Sequence, residues 1–244
     1  MNGWNGTSGA GLAAPLIASC LLLPVATPAF AGRPLTTDDA AVVEAKGCQV
    51  ESWIDRSSSA TTGWIVPACN FGLNTELQAG FARTRADGQA RFSEAYVQAK
   101  TLLREMTDDE PWGVGLVVGA TKRPRNETHR GRHNPYILGV FTQSICNTPL
   151  TLHANAGWTR DREAGRDLTL WGVALEAAVT DRLTLLGEAY GQNAEKPFVR
   201  IGGRWTAIKD RLDIDLSWVE RPGGPSEERF VSIGVTWYSG AILP

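Results

Sequence analysis

The sequence has no excess of charge of either sign and, beyond residue 31, no long apolar run. Its 244 residues include 24 Lys and Arg against 26 Asp and Glu, a formal net charge of −2. This balance argues against a nucleic-acid-binding protein that depends on a general positive field. The lack of an apolar run of about 18 residues past residue 31 excludes a membrane protein built from helices.

Motifs for catalysis and for metal binding are also absent. The chain contains no G-x-S-x-G, H-E-x-x-H or P-loop pattern, and no C-x-x-C pair. Its three histidines, His129, His133 and His153, do not stand at zinc-ligand spacing from the cysteines. We therefore predict no enzyme activity, no catalytic residues, no metal and no cofactor.

Residues 1–31 have the pattern of an export signal. An apolar stretch over residues 12–26 is followed by Ala29-Phe30-Ala31, which places small residues at the −3 and −1 positions of a cut after Ala31. Two features depart from this pattern: residues 1–11 carry no positive charge, and residues 17–20 fit a lipoprotein box loosely. The apolar run continues past Cys20, which favours a signal peptide that is cleaved near Ala31.

From residue 47 onward, apolar and polar residues alternate with period two. The stretches 212–218 and 231–237 each place Leu, Ile, Val or Trp on one face and polar or small residues on the other. We count about twelve such segments, with ten or fourteen as alternatives. They cover residues 48–56, 62–69, 75–85, 91–104, 112–121, 135–144, 149–160, 167–178, 182–192, 196–206, 211–220 and 229–238.

Three observations favour a closed barrel in a membrane over a soluble exported β-sandwich. A turn followed by alternation recurs at Asp181-Arg182-Leu183 and Asp210-Arg211-Leu212, at the start of alternate strands. Loops at that rim are short, whereas the other rim has long loops at residues 122–134 and 221–228. Tryptophans also fall near strand ends on the apolar face. These are Trp112, Trp158, Trp205, Trp218 and Trp237.

The prediction is therefore an all-β, antiparallel up-and-down transmembrane β-barrel of about twelve strands over residues 47–244. The rim with short turns is predicted to face the periplasm. Residues 32–46 are predicted to form a short periplasmic N-terminal segment, in which Thr36-Thr37-Asp38-Asp39 could cap one helical turn.

Several stretches resemble a known family. Residues 34–40, 44–51, 71–81 and 181–190 are similar to the opening segment and the turn-and-strand repeats of Gram-negative outer-membrane β-barrel transporters linked to the meta pathway of phenol degradation. The likeness spans nearly all of the mature chain. The sequence departs from the family in its cysteines and in ending at Pro244 instead of a terminal aromatic residue.

The barrel and the resemblance together imply a function and a location. We expect a channel or transporter in the outer membrane of a Gram-negative bacterium, for passive passage of small solutes such as aromatic or other small organic compounds. Its expected partners are outer-membrane lipid, lipopolysaccharide and the barrel assembly machinery, with no nucleic acid. The alternative function is a non-conducting structural or lipid-modifying barrel.

Alternation assigns the polar side chains to the lumen. The predicted lumen-lining residues are Glu94, Tyr96, Gln98, Lys100, His153, Asn155, Glu188, Tyr190, Arg200, Arg204, Asp213 and Asp215. Folding the chain about residues 208–209 sets Arg204 opposite Asp213 and Gly202 opposite Asp215. Such charges either pair across strands to fill the barrel or line a polar path for solutes. A lone His153 is interpreted as a lining or packing residue and not as the base of a lipase-like site.

Two further predictions concern the cysteines and one loop. Folding the first hairpin about Ser58–Ser59 sets Cys48 opposite Cys69, within the range of a disulfide, and leaves Cys146 free. The loop over residues 122–134 is strongly basic and is predicted to contact lipopolysaccharide phosphates at the cell surface. Its cations include Lys122, Arg123, Arg125, Arg130 and Arg132.

Overall fold

The structure is a computed structural model that describes residues 33–86, 92–107, 109–122, 133–193 and 195–244. The predicted signal peptide over residues 1–31 lies outside the described residues. So do Arg123, Arg125, Arg130 and Arg132 of the basic loop.

Twelve antiparallel strands form one closed barrel, in which each strand pairs with its sequence neighbours and β1 pairs with β12. The predicted fold class is confirmed, and each predicted segment overlaps one strand. The strands are β1 (Gly47–Ser57), β2 (Ala60–Asn70), β3 (Thr75–Ala86), β4 (Phe92–Arg104), β5 (Trp112–Lys122), β6 (His133–Ser144), β7 (Leu150–Asp161), β8 (Arg166–Ala178), β9 (Leu183–Gln192), β10 (Phe198–Ile208), β11 (Leu212–Glu220) and β12 (Phe230–Ala241).

The alternation of side chains is inverted relative to a water-soluble protein. Ile201, Val97 and Leu216 are more than half exposed on the outer face, whereas Ser232, His153 and Thr236 are buried inside. Because successive residues of a strand point to opposite faces, every strand contributes to both surfaces. An apolar outside and a polar inside are typical of a barrel in lipid. The five tryptophans predicted to form an interfacial girdle are all on the outer face and 36–48% exposed.

The first hairpin has the register that the sequence predicts. Cys48 pairs with Cys69, and a disulfide joins them with their Cα atoms 4.1 Å apart. The expectation of a free thiol at Cys146 is wrong, because this residue is also disulfide-bonded.

The hairpin of β10 and β11 is displaced by two residues from its predicted register. Arg204 pairs with Asp215, Thr206 pairs with Asp213, and Gly202 pairs with Ser217. The cause is local: the register shifts between Thr206 and Ile208, and Asp210 occupies the left-handed region with φ 57°. The turn is therefore centred one residue later than predicted, which moves each cross-strand partner by two.

The N-terminal segment is the largest departure from the predictions. Residues 33–46 neither form a lead-in outside the barrel nor include a helical turn at Thr36–Asp39. They run as irregular backbone through the inside of the barrel, where Arg33, Pro34, Thr37, Asp39, Ala40 and Val43 are buried. Among the described residues, no helix is both long and apolar enough to cross a membrane.

Candidate functional site

The candidate site is the lumen together with the segment that fills it. We call residues 33–46 the plug. Its N-terminal part contacts β11, β12 and β1, and its C-terminal part contacts the adjacent strands β2 and β3. Between these ends it contacts β4, β6, β7, β9 and β10. The plug therefore contacts the wall all around the lumen.

Carboxylates of the wall hold the plug by its backbone. Glu76 accepts a hydrogen bond from the Val43 amide at 2.9 Å, and Glu51 accepts one from the Arg33 amide at 3.3 Å. Glu188 accepts from the amides of both Thr36 and Thr37. Buried amides must find acceptors, and irregular backbone cannot supply its own. The wall carboxylates therefore provide acceptors that the plug requires.

Lys100 on β4 anchors the middle of the plug. Its ammonium lies 2.9 Å from the Asp38 carboxylate and 3.0 Å from that of Asp39. Lys100 and Asp39 are nearly inaccessible to solvent. Burial raises the pKa of Asp38 above its ordinary value, and the neighbouring ammonium opposes that rise. The cluster joins a wall cation to two plug carboxylates in a space from which water is largely excluded.

Arg33 anchors the N-terminal end of the plug. Its guanidinium donates to Asp215 at 2.9 Å and to Ser232 at 2.7 Å, and it stacks 4.2 Å from the Trp53 ring. Its carbonyl accepts a hydrogen bond from Arg204 at 3.2 Å. The guanidinium thus forms a buried ion pair with the Asp215 carboxylate.

Two arginines of β10 form ion pairs within the wall and donate hydrogen bonds to the plug. Arg204 pairs with Glu176 at 2.9 Å instead of with Asp213, which accepts from Tyr238 at 3.2 Å. Arg200 pairs with Glu188 at 3.3 Å and donates to the Thr36 hydroxyl at 3.2 Å. Buried ion pairs need such additional hydrogen bonds to offset the cost of removing charge from water.

Amide and hydroxyl side chains complete the contacts. Asn155 accepts from the Asp38 amide and donates to the Asp38 carbonyl, each at 2.7 Å. The Thr142 hydroxyl accepts from the Ala40 amide at 2.9 Å and lies 3.0 Å from His153 Nδ1. His153 is wholly buried beneath the plug. In this arrangement both His153 and Thr142 are inaccessible to solvent.

Aromatic side chains line the lumen between the plug and the rim with long loops, a region we call the vestibule. They are Trp53, Trp64, Tyr96, Tyr136, Tyr190 and Phe198, all half-buried. Trp53 stacks on Trp64 with ring centroids 5.4 Å apart, and Tyr190 stacks on Phe198 at 5.5 Å.

Glycines allow two of the vestibule tyrosines to lie flat against the wall. Gly80 pairs with Tyr96, and Gly119 pairs with Tyr136. A Cβ atom added at either glycine would overlap the tyrosine ring. The hydroxyls then reach polar partners, Gln78 at 2.9 Å from Tyr96 and Gln98 at 2.6 Å from Tyr136.

The structure places all twelve predicted lumen-lining residues on the inner face. Six of them contact the plug directly: Lys100, Asn155, Glu188, Arg200, Arg204 and Asp215. The other six line the wall or the vestibule: Glu94, Tyr96, Gln98, His153, Tyr190 and Asp213. The sequence therefore predicted the wall, but it did not predict what the wall binds.

Several residues of this site were missed. Glu176 and Thr142 stand at inward positions of β8 and β6, where alternation with Leu175 and Phe141 could have identified them. Arg33, Asp38 and Asp39 lie in a segment without alternation, so no periodic signal points to the lumen. Of the five predicted cations of the basic loop, only Lys122 is described, and it is exposed at the end of β5.

Known structures share this architecture. The chain is similar to the structure of the KdgM porin in complex with disordered oligogalacturonate, with a TM-score of 0.59, 7% identity, and coverage of 78% of this chain and 98% of that one. It is also similar to the NanC porin, with a TM-score of 0.53, 9% identity, and coverage of 79% and 98%. At these identities the likeness establishes the fold alone. The fold is that of the porin-like outer-membrane barrels.

Within that class the chain belongs to a family described as uncharacterised conserved protein UCP029691, which matches residues 19–237. No curated protein matches the chain. The family description names no pathway. The predicted resemblance to outer-membrane barrels is therefore supported, whereas the predicted link to phenol degradation is not.

Proposed function

We propose that this protein is an outer-membrane channel for passive passage of small solutes, and that residues 33–46 close it in the state described. One observation carries the proposal: the lumen of a twelve-stranded barrel is filled by a segment that is not part of its wall. Twelve strands enclose more space than the eight that side chains alone can fill. Removal of the plug would therefore leave a polar passage.

The bonding pattern supports a plug that can leave without unfolding the barrel. Residues 33–46 contribute no strand to the closed sheet, in which each strand pairs with its two neighbours. The plug is held by side chains of the wall, such as Lys100, Glu188 and Asn155. These contacts can break while every strand-to-strand hydrogen bond remains.

The aromatic lining of the vestibule supports the proposal that the solutes are small organic compounds, aromatic compounds among them. Its rings offer flat apolar surfaces on which a planar molecule can stack at about 4.5–7 Å between centroids. Arg200 and Arg33 lie beside vestibule rings and supply positive charge at its base. The resemblance to barrels linked to phenol degradation agrees with this solute class.

The remaining parts of the proposal concern location. We place the protein in the outer membrane of a Gram-negative bacterium after export and cleavage near Ala31, and we expect the barrel assembly machinery to insert it. The apolar outer face and the tryptophan girdle support this location. Fractionation tests it: protein released in soluble form without detergent would contradict it.

Conductance in planar bilayers tests the channel. The wild type is compared with a variant in which Asp38→Asn, Asp39→Asn and Arg33→Gln weaken both anchors of the plug. The matched control is Asp167→Asn, which affects an exposed ion pair of the rim. We expect rare openings in the wild type and the control, and frequent openings of one size in the plug variant.

The filled lumen also favours one alternative function, a structural barrel that does not conduct. If the plug variant is folded, as its circular dichroism and heat-modifiable gel migration would show, and still passes no current, that alternative replaces the channel. If the plug variant does conduct, phenolic solutes test the solute class. Solutes that bind in the vestibule should reduce the current through the plug variant.

A further inference from the structure

Three exposed arginines stand together on the outer face of the barrel, at the rim with long loops. Arg56 lies near the end of β1, and Arg83 and Arg85 lie near the end of β3. With Ile54, Thr61 and Gly63 they line a cleft of about 380 Å³. By alternation all six positions point away from the lumen, so this cleft is separate from the plug and the vestibule.

Cross-strand pairing places the three arginines around Thr61 and Gly63, which form the floor of the cleft. Thr61 of β2 pairs with Arg56 on one side and with Arg85 on the other. Gly63 pairs with Ile54 and with Arg83 in the same way. A Cβ added at Gly63 would meet nothing within 4 Å, so the floor is open between the arginine side chains. The Thr61 hydroxyl adds a hydrogen-bonding group.

In the part of this face that the structure describes, no acidic side chain neutralises the cluster. Among the described residues, the outward positions of β1 to β5 carry no Asp or Glu. Two outward arginines elsewhere on this rim do have acidic partners: Arg160 lies 2.9 Å from Asp167, and Arg229 lies 3.2 Å from Glu220. The positive charge of these three arginines therefore favours an anion at the cleft.

The apolar surface beside the cleft favours binding of a lipid over binding of a free anion. Towards the middle of the barrel, the outward residues next in line are Ile65 and Phe81, each half or more exposed. Beside them an apolar groove of about 680 Å³ runs over β2 to β5, with small residues Ala79, Ala99 and Ala120 between larger ones. Lys122 adds a further cation at the outer end of β5.

We propose that Arg56, Arg83 and Arg85 bind the phosphate of a phosphorylated glycolipid of the outer leaflet, whose acyl chains lie along the apolar surface below. The arginine fork matches phosphate geometry and can bind two oxygens at once. The proposal rests on the outer-membrane location proposed above, but not on conduction.

Binding of purified lipid A to the detergent-solubilised full chain tests this site. The probe is bis-phosphorylated lipid A, and the comparison ligand is the same lipid after enzymatic removal of both phosphates. The test variant is Arg56→Gln with Arg83→Gln and Arg85→Gln. The matched control is Arg160→Gln with Arg229→Gln, which removes outward arginines of the same rim that already have acidic partners.

We expect the test variant to bind bis-phosphorylated lipid A about 100-fold more weakly, at roughly 1 kcal/mol for each cation near a phosphate-bearing surface. The control should retain wild-type affinity, and the dephosphorylated lipid should bind the wild type and the test variant equally. Equal binding of the phosphorylated lipid to the wild type and the test variant would overturn the proposal. Displacement of the lipid by equimolar inorganic diphosphate would also overturn it, since it would identify a free-anion site.

One outcome separates this proposal from the channel, and another would contradict both. Loss of lipid A binding in the test variant with unchanged conductance supports the lipid site whatever the plug does. Failure of the wild type to enter lipid vesicles would remove the membrane location, and the lipid site with it, before any phosphate contact is measured.

Discussion

The Lys100 ammonium on the wall lies 2.9 Å from Asp38 of the plug, across 62 residues of sequence. Asp39 lies 3.0 Å from the same nitrogen. One buried cation therefore compensates two carboxylates of a segment that contributes no strand to the barrel. Removing one member of a buried ion pair leaves an uncompensated charge, which costs about 3–5 kcal/mol.

We predict that Lys100→Met releases the plug while the barrel remains folded. Hydrogen exchange of the amides of residues 36–44 should accelerate by about 100-fold or more, because a loss of about 3 kcal/mol corresponds to a factor of that size. Exchange of the strand amides should not change. Arg160→Met is the control, since its exposed pair with Asp167 contributes at most about 1 kcal/mol. Plug amides that stay protected in Lys100→Met would contradict the anchoring role.

The Cys48–Cys69 disulfide is predicted to stabilise the first hairpin. A disulfide that closes a loop of about 20 residues contributes roughly 3 kcal/mol by restricting the unfolded chain. Replacing both cysteines by serine should lower the free energy of unfolding in urea by about 2–4 kcal/mol. The double variant is preferable to a reductant, because Cys146 is also disulfide-bonded and would be reduced as well. An unchanged unfolding midpoint would show that strand pairing alone fixes the hairpin.

Gly80→Ala should displace the Tyr96 ring from the wall of the vestibule. The added Cβ would overlap that ring, and the hydrogen bond from Tyr96 to Gln78 would be lost. We expect a loss of about 1–3 kcal/mol in unfolding free energy, the range for overpacked sites.

Gly187→Ala is the matched control for this substitution, because an added Cβ there meets nothing within 4 Å. It should be neutral or slightly stabilising, since alanine restricts the unfolded chain. Combining Gly80→Ala with Tyr96→Ala should recover part of the loss. Equal effects of the two single alanines would mean that the close approach of Tyr96 is not the cause.

Leu216→Arg tests whether the outer face meets lipid. Leu216 is 56% exposed in the middle of β11, and a cation near the bilayer midplane costs about 2–4 kcal/mol in a transmembrane barrel. Asp181→Arg in the β8–β9 turn, outside the strands, should cost far less. The measurement is urea unfolding in lipid vesicles. A neutral Leu216→Arg would indicate that water and not acyl chains surrounds this face.

Much of the barrel could be predicted because period-two alternation is a local property. Residues 212–218 already separate Leu, Ile and Trp from Asp and Ser, and β11 follows that division. The Cys48–Cys69 pairing was predictable because a tight turn fixes the register of its two strands. The β10–β11 hairpin shows the limit, since a register shift and a left-handed Asp210 moved Arg204 from Asp213 to Asp215.

The sequence by itself determined the strands, the two faces and the polar character of the lumen, since each depends on which residues are adjacent or alternate. Only the tertiary structure decided what fills the lumen and where the cations gather. Arg33 reaches Asp215 across 182 residues, and Arg56 approaches Arg83 and Arg85 through an intervening strand. Closure of the barrel around the plug creates the first arrangement, and the pairing of β1, β2 and β3 creates the second. Both bring together side chains whose separation along the chain carries no periodic signal.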